Sequence, residues 1–154
     1  MRRPVVAKPA QVQALVLVLV LAISLGACGS ARVDYCNAVT RDQTKLSEMI
    51  NSSTLDSLIT DLPLLTSLAG KAPPDLTDEW QSFINAIEGL RDALTSAGLK
   101  PADFTGGSMP DSVQGQERRN IIAAANTLTS AEVVSAANGI ETQARDVCKV
   151  NLGL

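Results

Sequence analysis

Few residues in this 154-residue chain have side chains that can do covalent or acid–base chemistry. Cys28, Cys36 and Cys148 are its only thiols, and it contains no histidine. Without an imidazole, a Ser-His-Asp triad, a Cys-His nucleophile pair or a His-ligated metal site cannot be assembled within the chain. The cysteines show no Cys-x-x-Cys spacing, and there is no Gly-rich phosphate loop or calcium-loop spacing. Asp78 and Glu79 form an adjacent acid pair, but neighbouring helix positions diverge by about 100°. Their place near a helix start, where the dipole favours carboxylates, accounts for them more simply. Arg118 and Arg119 read as a solvated face. No residue supports a catalytic role, and no cofactor or metal-ligand set is expected, so the chain reads as a non-enzyme.

The first 27 residues read as a targeting segment. Arg2, Arg3 and Lys8 precede any acidic residue, and Ala14 to Leu25 is an apolar run of 12 residues broken only by Ser24. As a helix that run spans about 18 Å, short of the roughly 30 Å of a bilayer's hydrocarbon core. Leu25-Gly26-Ala27-Cys28 follows at once. In these residues the chain resembles bacterial lipoproteins, whose signal peptides end in a lipobox of an aliphatic residue, two small residues and a cysteine. The resemblance implies cleavage between Ala27 and Cys28 and a diacylglyceryl group on the Cys28 thiol. Two or more acyl chains, at about 0.8 kcal/mol per buried CH₂, hold a protein stably to a membrane. The other reading is a plain secretory peptide with Cys28 as an ordinary thiol. Arg2-Arg3 matches a twin-arginine export signal only loosely.

Three organisational units follow: a cleaved signal peptide over 1–27, a lipidated tether over 28–33 and a helical domain over 34–154. Removing the signal takes away three basic side chains and no acidic ones, so 127 residues remain with 10 Lys and Arg against 16 Asp and Glu, a net charge of −6. An acidic domain argues against nucleic acid, whose binding rests on cations that neutralise phosphates. Exported to an oxidising compartment, Cys36 and Cys148 are expected to pair as a structural disulfide; reduced or intermolecular thiols and a redox-active dithiol are the alternatives.

Positioning these residues falls to helices, because from Asp34 onward the apolar spacing is helical and no run alternates as a strand would. A first helix is expected from an Asp34 N-cap to about Ile50, with Cys36, Val39, Leu46, Met49 and Ile50 inward. Thr54 can cap a second, whose stripe of Leu55, Leu58, Ile59, Leu62, Leu65 and Leu68 is interrupted by Pro63, predicting a kink or two short helices. Asp75 to Ala97 is the strongest helix, burying Leu76, Trp80, Phe83, Ile84, Ile87, Leu90 and Leu94, closed by Gly98 with Leu99 folding back. After residues 99–111, which carry no helical signal, a weaker helix is expected over Val113 to Leu128. A capping box at Thr129 to Glu132 then opens the last helix, with Val133, Val134, Ala137, Ile140, Ala144, Val147 and Cys148 inward. Asn138-Gly139 costs this helix about 1 kcal/mol, predicting a close backbone neighbour or a bend.

A Cys36–Cys148 bridge would make the first and last helices antiparallel neighbours. The expected fold is therefore all-α: an antiparallel up-down four-helix bundle with a kinked second helix and a short accessory helix, stapled by one disulfide. Gly29 to Val33 reach at most about 18 Å when extended, so the bridged end would face the membrane and the 99–111 loop would point outward. Phe104 and Met109 are the candidate partner residues of that loop. As a whole the chain resembles small actinobacterial lipoproteins, with a lipobox, Tyr35-Cys36, a helical Ala- and Leu-rich domain and a second cysteine at Val147-Cys148. The resemblance implies the extracytoplasmic face of the cell membrane and no particular activity. The functional expectation is a noncatalytic protein-interaction module of the envelope; its rival is a carrier holding a lipid or other apolar ligand among the helices. An exposed apolar patch near Phe104 and Met109 would favour the first, and a cavity of several hundred Å³ the second.

Overall fold

The computed structural model describes residues 9–52, 54–104 and 108–152, with side chains from residue 29 onward. Arg2, Arg3, Lys8 and the side chain of Cys28 lie outside the described residues. Among the described residues there are six α-helices, two 3-10 turns and no strand, so the chain is all-α.

The first helix, α1, runs without a break over Pro9–Ser52. Asp34 is therefore an exposed position inside a helix and not its N-cap. Gly26 and Gly29 each cost about 1 kcal/mol relative to alanine, but no proline follows Pro9 in α1 to end it. Residues 29–33 are accordingly helical and rise only about 7.5 Å, where an extended tether would reach further. Beyond Ser52, Thr54 caps α2 (Leu55–Thr60) by accepting from the Ser57 amide at 3.2 Å.

Pro63 splits the second leucine-rich stripe as its chemistry requires. α2 stops at Asp61, and α3 (Leu62–Ala69) begins with Pro63 in its first turn, where a missing N–H leaves nothing unpaired. The Asp61 carboxylate meets Lys45 Nζ at 3.0 Å and makes no cap bond. A 3-10 turn at Pro74–Leu76 leads into α4 (Thr77–Ser96), which buries Trp80, Phe83, Ile84, Ala86, Ile87, Leu90 and Leu94. Gly98, at φ +70°, ends it, and the Leu99 amide turns back to the Leu94 carbonyl at 2.9 Å.

A second 3-10 turn over Pro101–Asp103 interrupts the 99–111 segment, and α5 spans Gly115–Leu128. The last helix, α6, covers Ala131–Asp146. Its cap is Ser130, which accepts from the Val133 amide at 3.3 Å, one residue later than the expected Thr129. The Thr129 hydroxyl instead reaches back to the Ala125 and Asn126 carbonyls of α5. α6 buries Val133, Ala136, Ile140 and Ala144 and continues without a break through Asn138-Gly139. The close neighbour of Gly139 is a side chain and not a backbone: a Cβ added there would lie 3.1 Å from Glu79 Cγ. Val134 and Val147, expected inside, are 49% and 41% exposed. Val134 lies one position off the inward register 133, 136, 140, 144, and Val147, which keeps that spacing, stands at the C-cap past the end of α6.

α4 is the central element and packs against α3, α5 and α6. α6 lies chiefly along α4, and its covalent tie to α1 is the Cys36–Cys148 disulfide, which spans 112 residues with a Cα–Cα distance of 4.9 Å. Cys36 sits well inside α1, and Cys148 lies just past the end of α6. The chain turns there through Lys149 at φ +60°, with the Val150 amide reaching the Ala144 carbonyl at 3.0 Å, and tucks Val150 and Leu152 into the core.

The buried side chains form two clusters. The larger joins α1, α3, most of α4, α6 and the C-terminal segment around Tyr35, Leu65, Leu68, Ile87 and Ile140, each at most 1% exposed. Within it Trp80 Nε1 donates to Tyr35 Oη at 3.1 Å, and the two rings meet edge to face with centroids 6.4 Å apart. Burial pushes the Tyr35 hydroxyl up to a pKa of about 12, the Trp80 bond opposing it. The smaller cluster has only Leu90, Leu94, Val113 and Ile121 fully buried, with Leu55, Ile59, Phe104, Met109 and Leu128 around them.

A candidate apolar cleft

The smaller cluster is incompletely filled, and a partly open cleft of about 1010 Å³ lies over it. Four elements supply its walls. The first turn of α2 contributes Leu55, the far half of α4 contributes Leu90, the 99–111 segment contributes Pro101, Ala102, Phe104 and Met109, and α5 contributes Ile121, Ile122, Ala125 and Leu128. Thr54, Asp56, Asn126 and Thr129 complete the lining.

The local sequence explains why this end of the molecule stays open. α5 turns Ala125 toward the cleft where a core helix would place a large side chain, and the 3-10 turn presents Ala102. Small residues cannot reach across to Leu55 and Leu90, so the elements are held apart without the gap being filled. The 3-10 turn is held by the Lys100 amide, which donates to Asp103 Oδ2 at 2.7 Å. Pro101 fixes φ at its first position and fits the turn without needing its own N–H. Across from it, the Thr54 cap fixes the direction in which α2 leaves.

The two loop residues singled out from the sequence, Phe104 and Met109, are brought together on this cleft. Both are half-buried against the smaller cluster and do not form a fully exposed patch. Leu55, Ile122 and Ala125 complete the site and were not anticipated. One signal for them was available in Ile121-Ile122: consecutive helix positions cannot both face one core. Ile121 takes the buried position at 2% exposure and Ile122 is left on the cleft at 43%.

The remaining chemical candidates do not converge on it. Asp78 is exposed, and Glu79 is half-buried beside Gly139 on α6. Arg119 Nη2 donates to Gln116 Oε1 at 2.8 Å along the exposed face of α5, and Arg118 is exposed and outside the lining. Cys36 and Cys148 are oxidised to each other, so neither is a nucleophile in this state. Gln143 lies against the bridge, its Oε1 3.8 Å from Cys148 Sγ, and its buried Nε2 makes no hydrogen bond. Among the described residues, no group of three or more His, Cys, Asp or Glu could hold a metal ion, and no helix is long and apolar enough to cross a membrane.

The floor of the cleft is thus apolar, with Leu90 and Ile121 buried and Leu55, Phe104, Met109 and Leu128 half-buried, while its four polar residues are exposed around it. An apolar floor with a few polar groups at the edge is the usual composition of a small-molecule site, and the volume falls at the upper end of the range for such sites. No protein-family model matches the chain, and no curated protein or solved structure matches it.

Proposed function

We propose that this chain is a lipid-anchored, noncatalytic binding protein of the extracytoplasmic membrane face whose cleft holds an apolar small molecule. The observation that carries the reading is the cleft of about 1010 Å³, floored by Leu55, Leu90, Phe104, Met109 and Ile121. A protein with a single filled core has no use for such a volume, and leaving apolar surface uncovered forgoes about 25 cal/mol per Å² of burial. Covering it with an apolar ligand recovers that term.

Anchoring through Cys28 rests on the lipobox residues Leu25 to Cys28 and on the signal-like segment before them. The unbroken α1 supports a defined stand-off, because residues 28 to 52 of one helix rise about 36 Å. In this arrangement α1, the α2–α3 pair, α4 and α6 form the up-and-down bundle, and α5 is the accessory helix that walls the cleft. The second reading, a protein-interaction module, draws on the openness of the same cleft and on Ile122 at its edge, 43% exposed.

Binding of the uncharged dye N-phenyl-1-naphthylamine, displaced by 1-dodecanol, tests the small-molecule reading. Saturable binding by the unaltered chain, lost in Ala125→Trp with its unfolding midpoint retained, is the expected result. Absence of saturable binding would overturn it and leave the interaction reading. Cys28→Ser should release the protein from membranes or leave it unprocessed; unchanged fractionation refutes the anchor.

A further inference from the structure

We propose that the cleft selects its occupant by head-group charge, taking a single-chain amphiphile with an ammonium head in preference to one with a carboxylate. The inference rests on the small-molecule reading of the cleft and concerns what its polar edge can recognise. Among the described lining residues Asp56 is the only charged group, and no lysine or arginine is present.

The neutral groups beside it are already committed in one direction. Thr54 Oγ1 donates to Ser57 Oγ at 3.2 Å, and Thr129 Oγ1 donates to the Ala125 carbonyl at 3.2 Å. Each hydroxyl therefore has only acceptor capacity left for a ligand. With the Asp56 carboxylate they make an edge rich in acceptors, in which the Asn126 amide is the one side-chain donor. Thr129 also stands at the C-terminal end of α5, the negative end of that helix dipole.

An ammonium group carries donors only, and this edge offers it the Asp56 carboxylate and hydroxyl acceptors. A carboxylate offers acceptors only; it would find the Asn126 side chain and the backbone N–H groups in the first turn of α2, and would be repelled by Asp56 and by the −6 net charge of residues 28–154. The cations nearest in sequence do not reverse the balance. Lys100 and Asp103 flank Pro101 and Ala102 with opposite charges, and Arg118 lies one turn before Ile122 but outside the lining.

The test is displacement of N-phenyl-1-naphthylamine from the full chain, kept in solution by an uncharged amphipathic polymer, by dodecylamine, 1-dodecanol and dodecanoate. Dodecylamine is expected to displace the dye about tenfold more effectively than dodecanoate at low ionic strength, with the alcohol between them. The preference should shrink as salt is raised. Asp56→Asn should bring the amine close to the alcohol, and Asn126→Asp should widen the gap; both positions are exposed, so loss of fold does not confound the pair. Equal displacement by all three, tighter binding of dodecanoate, or a preference that moves with Arg118→Gln and not with Asp56→Asn would overturn the proposal while leaving the small-molecule reading intact. Failure of the dye to bind at all would overturn both.

Discussion

The chain contains one tyrosine and one tryptophan, and the two are bonded to each other inside the larger cluster. Alkaline titration of Tyr35 is therefore readable without interference from any other phenol. Its pKa moves from 10.0 to about 12 because burial penalises the phenolate. A folded-state value raised above the unfolded one means that the unfolded chain releases its proton first as pH rises. The stability this contributes is fully present below pH 10 and is lost as pH rises toward 12. The gap corresponds to about 2 to 3 kcal/mol. Phenolate absorbance of the native protein should appear near pH 12, or earlier only together with loss of helical circular dichroism, whereas in denaturant it should appear near pH 10. Denaturant midpoints should be flat up to about pH 9 and fall beyond pH 10. Tyr35→Phe removes this alkaline slope. It also strands the buried Trp80 N–H, which costs about 1 to 3 kcal/mol at neutral pH, and the cost should shrink in a Tyr35→Phe, Trp80→Phe double variant. Ionisation near pH 10 with the helices intact would refute the buried pair.

Replacing both Cys36 and Cys148 by alanine opens a 112-residue loop, for which chain entropy gives up to about 4 to 5 kcal/mol. Urea titration of the double variant should show most of that loss, and a cost below about 1 kcal/mol would mean the bridge hardly constrains the unfolded chain. Gly139→Ala should raise the unfolding midpoint, because alanine gains up to about 1 kcal/mol in a helix interior and the Glu79 side chain, 3.1 Å from the new Cβ, can swing aside. A lowered midpoint would show Glu79 to be held in place.

The parts of the fold that were legible in the sequence are those fixed by contacts within one helix or one turn. The whole expected stripe of α4, from Leu76 to Leu94, is buried. Pro63 divides α2 from α3, Thr54 caps α2, and Gly98 ends α4, each through chemistry that operates within a few residues. The single bridge followed from the cysteine count together with the expectation of export. The pairing of Tyr35 with Trp80 has no local signal, because the two residues are 45 positions apart. The inward register of α6 does not follow side-chain size: Ala136 is buried, and Val134 is not. Thr129 and Ser130 are both good caps, and only the exit of α5, which engages the Thr129 hydroxyl, decides between them. The cleft posed the hardest case. Phe104 and Met109 could be singled out as apolar residues in a long loop, but a void is set by what faces what. That Ala125 stands where nothing large reaches it is a tertiary fact with no local signature.

The Cys36–Cys148 bond makes one closed circuit of the chain, with α2 through α6 and the 99–111 segment all within it. A single cut by a protease in that exposed segment would linearise the circuit without dividing the molecule. The piece carrying α1 through α4 and the piece carrying α5 and α6 would migrate as one species until the bridge is reduced. Where Cys28 carries a lipid, both pieces would stay at the membrane after the cut. Nicking could then alter the wall of the cleft while shedding nothing, and only a reductant would free the C-terminal piece.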